Sequence, residues 1–176
     1  ELNYYGEDGQ LIAGPDGYAT AKYTYFAAEK RNEKLTMFYN ADGSLYFNKK
    51  GYCGIQRKLG KKNRVVEESY YAGEGIRGYS TDGYSKVVNF YTQRGKIGVQ
   101  RYYDTEDNLM YVPAKGCAMI KNTYRNRQLA KVEYFDAEKK QTIGPDGYAV
   151  AEHRFDERKT NRVETDFYDT DGKTRI

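Results

Sequence analysis

Few side chains in this sequence are able to do covalent or acid–base chemistry. His153 is the only histidine among 176 residues. Use as a general base would need a nucleophile or a buried carboxylate beside it, and no motif supplies one. It occupies a strand position filled elsewhere by Arg57 and Asn122. That equivalence predicts a structural imidazole and no catalysis that depends on it. Cys53 and Cys117 sit at non-equivalent places, with neither metal-ligand spacing nor a disulfide framework, and are expected to be reduced and structural. Asn40-Ala41-Asp42-Gly43 and Asp169-Thr170-Asp171-Gly172 carry oxygen ligands at alternate positions, as a calcium loop begins. Both lack the remainder of such a loop, including its closing Glu, so tight turns are expected and no metal site. Carboxylates recur at turn positions rather than as one singular pair, which argues against glycoside hydrolysis. The glycine-rich turns follow no phosphate- or dinucleotide-binding pattern. The chain is therefore read as not an enzyme, with no cofactor.

What remains is tyrosine. The chain has 20 Tyr, 7 Phe and no Trp, with 18 Gly and only 3 Pro. An aromatic pair recurs at Tyr4-Tyr5, Phe38-Tyr39, Tyr70-Tyr71, Tyr102-Tyr103, Tyr134-Phe135 and Phe167-Tyr168, at spacings of 34, 32, 32, 32 and 33 residues. Five residues beyond the first aromatic stands Gly9, Gly43, Gly75 and Gly172, with Asp107 and Lys139 in the two remaining copies. A second landmark follows at Gly17, Gly51, Gly83, Gly116 and Gly147. Tyr comes next in each case except the fourth, where Cys117 replaces it. Periodicity of this kind is the signature of a repeat architecture.

The elements that position these residues are strands. Counting from the second glycine landmark, position two is always small: Ala19, Cys53, Ser85, Ala118 and Ala149. Position four is always apolar: Ala21, Ile55, Val87, Ile120 and Ala151. Position eight is Tyr25, Leu59, Tyr91, Tyr124 and Phe155. Period two marks a half-buried strand. Thr20, Lys22, Lys86 and Lys121 fall on the opposite, wet face. A short polar turn such as Gly60-Lys61-Lys62-Asn63 leads to a second strand that ends on the aromatic pair, as in Val65 to Tyr71, Ile97 to Tyr103 and Leu129 to Phe135. The first copy has about two extra residues near Ala27 to Lys30, expected to widen its turn. Asp-Gly turns at regular intervals complete the pattern of an all-β array.

The fold expected is thus all-β: an elongated, solenoid-like tandem array of about five β-hairpin units of roughly 32 residues. Residues 1–176 read as a single repeat domain. Its units start near Tyr4, Phe38, Tyr70, Tyr102 and Tyr134, with a partial unit from Phe167. Both ends fall inside a repeat and the first residue is Glu1, so a longer parent protein is expected. Net charge is +4, from 29 basic and 25 acidic residues. Lys49-Lys50 and Lys61-Lys62 are short clusters, expected as solvated loops rather than a nucleic-acid stripe. No apolar run approaches a membrane span, so no membrane insertion is expected.

The pattern aromatic-Tyr-Asp-x-Asp-Gly, loop, Asp-Gly-Tyr-Ala resembles Tyr-rich tandem repeats of bacterial proteins, many of them surface-associated. Phe167-Tyr168-Asp169-Thr170-Asp171-Gly172-Lys173 is similar to the core of cell-wall-binding and glucan-binding repeats. Those families form β-hairpin solenoids that hold choline or glucan between aromatics. Their repeats are shorter and a choline cage relies on Trp, which this chain lacks, so no choline site carries over. The resemblance implies an extracellular or cell-surface module that binds a glycan, cell-wall polymer or host surface. A structural spacer or protein-interaction scaffold is the alternative. Tyr18, Tyr52, Tyr84 and Tyr148 are the candidate ligand-binding residues: each follows Gly at a loop exit, on the polar face of its strand. Packing between repeats is the competing role for any one of them.

Overall fold

A computed structural model describes residues 1–28, 31–158 and 161–176. The chain forms two compact units, Glu1–Val87 and Val88–Ile176. The first holds β1 (Leu2–Asn3), β2 (Thr20–Ala28), β3 (Arg31–Tyr39), β4 (Gly54–Leu59), β5 (Val65–Gly73) and β6 (Ile76–Arg77). Strand β7 (Lys86–Tyr91) begins at its end. The second holds β8 (Ile97–Tyr103), β9 (Met119–Arg125), β10 (Gln128–Phe135), β11 (Val150–Phe155) and β12 (Arg162–Tyr168). Strand order follows chain order in an antiparallel, unclosed sheet, with β6 attached to β5 as a side branch. Among the described residues there is no α-helix, only three-residue 3-10 turns at Lys61–Asn63 and Pro113–Lys115.

The all-β expectation holds, and the strand boundaries lie close to those read from the period-two pattern. The long hairpins are β2–β3, β4–β5, β7–β8, β9–β10 and β11–β12. Facing residues in an antiparallel pair share a side. Ala21 faces Phe38, Ile55 faces Tyr70, Ile120 faces Tyr134 and Ala151 faces Phe167. The position-four residues and the first aromatics therefore lie on one face. The other face carries cross-strand charges such as Lys58 with Glu67 at 2.8 Å and Lys131 with Glu152 at 3.1 Å. Lys22 and Lys121 are exposed as expected, whereas Thr20 is buried against Asn3.

The position-two residues are the most deeply buried set. Ala19 is 1% exposed, and Cys53, Ser85, Ala118 and Ala149 are each 0% exposed. Their backbones are pinned from both sides. Ala149 donates its N–H to the Tyr168 carbonyl at 2.9 Å, and its own carbonyl accepts the Tyr134 N–H at 3.0 Å. Ala19 does the same with Tyr39 at 2.8 Å and Tyr4 at 3.0 Å. A side chain much larger than Ala, Ser or Cys has no place there.

Beyond each aromatic pair the loop turns back on its strand. Tyr5 bridges Leu11, Tyr39 bridges Leu45, Tyr103 bridges Leu109, and Phe135 bridges Gln141. The turn needs a left-handed residue at the first glycine landmark. Gly9, Gly43 and Gly75 have φ of 76°, 84° and 69°, and a Cβ at any of them would meet open space. Conformation alone selects glycine at these places. Asp107 and Lys139, which replace glycine, adopt φ of 67° and 65° all the same. An L-residue there costs about 1–2 kcal/mol, partly offset by the roughly 0.5–1 kcal/mol of chain entropy that glycine loses on folding. Lys139→Gly is therefore expected to gain about 0.5–1 kcal/mol, read as a higher urea midpoint at unchanged slope. An unchanged or lower midpoint would contradict this account of the turn.

The wider first turn expected near Ala27 to Lys30 is only partly visible. Strand β2 runs on through Ala27 to Ala28, and Glu29 and Lys30 lie outside the described residues.

Candidate functional site

The four tyrosines after the second glycine landmark do not stand on the wet face, as period-two alternation predicts. A bend occurs at position two of every copy, at Ala19, Cys53, Ser85, Ala118 and Ala149. The bend breaks the alternation and returns each Tyr to the face of the first aromatics. Tyr52 and Tyr84 are each 8% exposed, and Tyr18 and Tyr148 are half-buried. The expectation of outward-facing rings is corrected accordingly: these side chains pack ring to ring along the sheet.

The packing forms short aromatic ladders. Tyr18 lies between Tyr4 at 5.8 Å and Phe38 at 4.9 Å, centroid to centroid. Tyr70 lies between Tyr52 at 4.8 Å and Tyr84 at 5.7 Å. In the second unit Tyr148 lies between Tyr134 at 5.8 Å and Phe167 at 4.8 Å. Burial, and then Tyr4, pushes the Tyr18 hydroxyl up to about 12. Burial also raises Tyr70, Tyr84 and Tyr134. These hydroxyls stay protonated at neutral pH.

Two clefts open beside the ladders. In the first unit a cleft of about 710 Å³ is edged by Asp16, Gly17, Tyr18, Phe38, Tyr46 and Tyr52, with Asn48, Lys49 and Lys50. In the second a cleft of about 580 Å³ is edged by Asp146, Gly147, Tyr148 and Phe167, with His153, Arg162 and Thr165. Each has an Asp-Gly-Tyr turn on one side and the next first aromatic on the other. Gly17 permits this closeness in the first cleft, where the Tyr46 hydroxyl donates to the Asp16 carbonyl at 3.1 Å. Tyr84 lines neither cleft. The candidate residues Tyr18, Tyr52 and Tyr148 thus line a cleft while their rings also pack in a ladder.

The fourth copy differs. Pro113–Lys115 forms a 3-10 turn, Gly116 takes φ 63°, and Cys117 fills the Tyr place with 0% exposure. Burial pushes its thiol up to about 11, so thiolate is scarce at neutral pH. Cys53 is likewise free and buried, its Sγ 3.3 Å from the Tyr71 carbonyl. His153 Nδ1 lies 3.0 Å from Thr165 Oγ1. Burial, and then Arg162, draws its pKa below the usual histidine value. In the loops of calcium-like pattern the carboxylates serve the turns. Asp42 Oδ1 accepts from the Ser44 N–H at 2.9 Å and the Ser44 hydroxyl at 2.6 Å. Asp171 Oδ1 accepts from the N–H groups of Lys173 and Thr174 at 2.8 and 2.7 Å. Three bonds from Thr174 and Lys173 hold the Asp171 carboxyl down at about 2.

No family model matches the chain, and no curated protein matches it.

Proposed function

We propose that this chain is a non-catalytic repeat module of a bacterial surface or secreted protein, binding a glycan or cell-wall polymer in shallow clefts beside its Asp-Gly-Tyr turns. Its hairpins are read as about five solenoid-like units of roughly 32 residues. One observation carries the binding reading. The same turn and the same following aromatic edge a cleft in both units, at Tyr18 with Phe38 and at Tyr148 with Phe167. A flat apolar edge beside a carboxylate and neutral hydroxyls suits a sugar, which has apolar CH faces and many hydroxyls. Repetition of a weak site yields affinity through multivalency when the ligand is a polymer.

A structural spacer or protein-interaction scaffold is the second reading. The burial of Tyr52 and Tyr84 favours it, since rings spent on internal packing are not offered to a ligand.

Titration with neutral oligosaccharides of increasing length separates the two. Binding is expected to strengthen with chain length and to change little between 50 and 200 mM salt, as uncharged contacts are not screened. Tyr18→Phe with Tyr148→Phe keeps both ladders and removes the two hydroxyls. That double variant is expected to bind roughly three- to tenfold more weakly per cleft, as for one lost hydrogen bond. No dependence on length, or full affinity in the double variant, would remove these clefts and leave the scaffold reading.

A further inference from the structure

The tips of the β7–β8 and β9–β10 hairpins enclose a third cleft, of about 720 Å³, within the second unit. Arg94, Lys96 and Arg127 line it, with Gln93, Asn126 and Tyr124. No Asp or Glu lines it. Sequence explains why: neither Val88–Tyr103 nor Ala114–Val132 contains an acidic residue. The cationic side chains are exposed. Elsewhere in the sheet basic side chains meet carboxylates, as Arg57 does Glu68 at 2.6 Å and Arg154 does Asp166 at 2.6 Å. These three have no such partner among the described residues. Converging like charges in one cleft are unfavourable unless an anion sits among them.

The turn geometry points the same way. Asn126 and Arg127 form a two-residue hairpin turn with φ of 50° and 69°. A turn of this type favours Asn followed by Gly. Asn is present, but Arg stands where glycine would relieve the backbone. Arg127 is thus held in a left-handed position, a local strain at a residue that lines the cationic cleft. The floor is rigid. The Tyr124 hydroxyl donates to the Ile97 carbonyl at 3.2 Å, and the Asn122 amide donates to the same carbonyl at 3.3 Å. Opposite it, the Thr92 N–H bonds the Lys96 carbonyl at 2.8 Å and Gly95 closes the turn at 2.9 Å, which fixes Arg94 and Lys96 on one loop.

We infer that this cleft binds the anionic groups of a polyanionic glycan, such as the sulfates of a sulfated chain. Three cations supply the anion contacts. The amides of Gln93 and Asn126 and the hydroxyl of Thr92 suit sugar hydroxyls, beside the half-buried Tyr124. A nucleic acid is less well matched. It would need a longer basic track and several stacking platforms, whereas one ring lines this cleft. The site is separate from the clefts at Tyr18 and Tyr148 and stands without them.

The test is titration of the intact chain with a heparin-derived octasaccharide at 50 and 200 mM salt, and in parallel with a single-stranded DNA octamer. Wild-type protein is expected to bind the sulfated chain, at least about tenfold more weakly at the higher salt, because charge contacts are screened and counterions released. The variant carrying Arg94→Ser, Lys96→Ser and Arg127→Gly is expected to lose at least about tenfold in affinity. Arg127→Gly alone is expected to keep or raise the melting temperature while weakening binding, which separates loss of ligand from loss of fold. Full affinity for the sulfated chain in the triple variant, or affinity indifferent to salt, would overturn the proposal. Tighter binding of the DNA octamer, lost in the same variant, would overturn the assignment to a glycan. Failure of neutral oligosaccharides at the tyrosine clefts leaves this result untouched, so the two readings fall separately.

Discussion

Replacing Tyr70 by Ala is expected to cost roughly 3–5 kcal/mol, the range for removing a buried aromatic side chain. Tyr70 is 5% exposed and faces Ile55 across the hairpin. Its ring is stacked on Tyr52 with the planes only 25° apart, and it meets Tyr84 at a steeper angle on the other side. Two ring contacts vanish with it, each worth about 0.5–1.5 kcal/mol beyond buried area. The hydroxyl donates to Glu68 Oε1 at 2.7 Å, so Tyr70→Phe should cost only about 1 kcal/mol. Tyr25, 70% exposed, is the internal control. Tyr25→Ala is expected to stay within about 0.5 kcal/mol of wild type. Urea midpoints for the three variants give the ranking directly. If Tyr70→Ala behaved like Tyr25→Ala, the ladder would not be a packing device, and the ring faces would have to be free for another use.

Ala149→Leu is the second large effect, expected to destabilise by about 1–3 kcal/mol through overpacking. The site has no slack. Ala149 is 0% exposed, and both hydrogen bonds of its backbone run to aromatic-pair residues, Tyr168 and Tyr134. Gly144 is close by in sequence, and even a Cβ added there would come within 2.5 Å of the Tyr134 ring. The aromatic pair therefore cannot retreat to accommodate a larger neighbour. Ala19→Leu should behave alike, since Ala19 is equally enclosed. Ala149→Cys should cost much less, because Cys53 fills the equivalent place in another copy with no exposure. A melting curve in which Leu and Cys at residue 149 are equally tolerated would contradict the assignment.

The charged face contributes in a different way. Lys58 lies between Glu33 and Glu67, and Gln56 links Glu33 to the Tyr71 hydroxyl. Asp166, 1% exposed, is bound by Arg154 and Arg175. The half-exposed pairs at Lys58 add little each, whereas the buried Asp166 carboxylate depends on its arginines. Both sets fix register, because a one-residue slip would carry every charge to the aromatic face.

Strands and turns follow from the local sequence, and so does the burial of the small position-two residues. Each is local. Period two follows from the pleat, the left-handed requirement at Gly9 and Gly43 from backbone sterics, and the small residues at position two from their place between two aromatic strands. Even Asp107 and Lys139 kept the turn that their glycine-bearing equivalents define. Tertiary structure alone decided what the tyrosines do. The bend at position two is a departure from the pleat that no alternation rule signals, and it turned Tyr18, Tyr52, Tyr84 and Tyr148 from an exposed row into packed rungs. Only pairing of successive hairpins could bring Arg94, Lys96 and Arg127 to one cleft. They are 33 residues apart at most, interspersed with polar residues, and carry no motif. Lys49-Lys50 and Lys61-Lys62 are the clusters that sequence makes visible. A cluster assembled across two turns is a property of register, set by hydrogen bonds between strands distant in the chain, and register is not written in the spacing of charges along one of them.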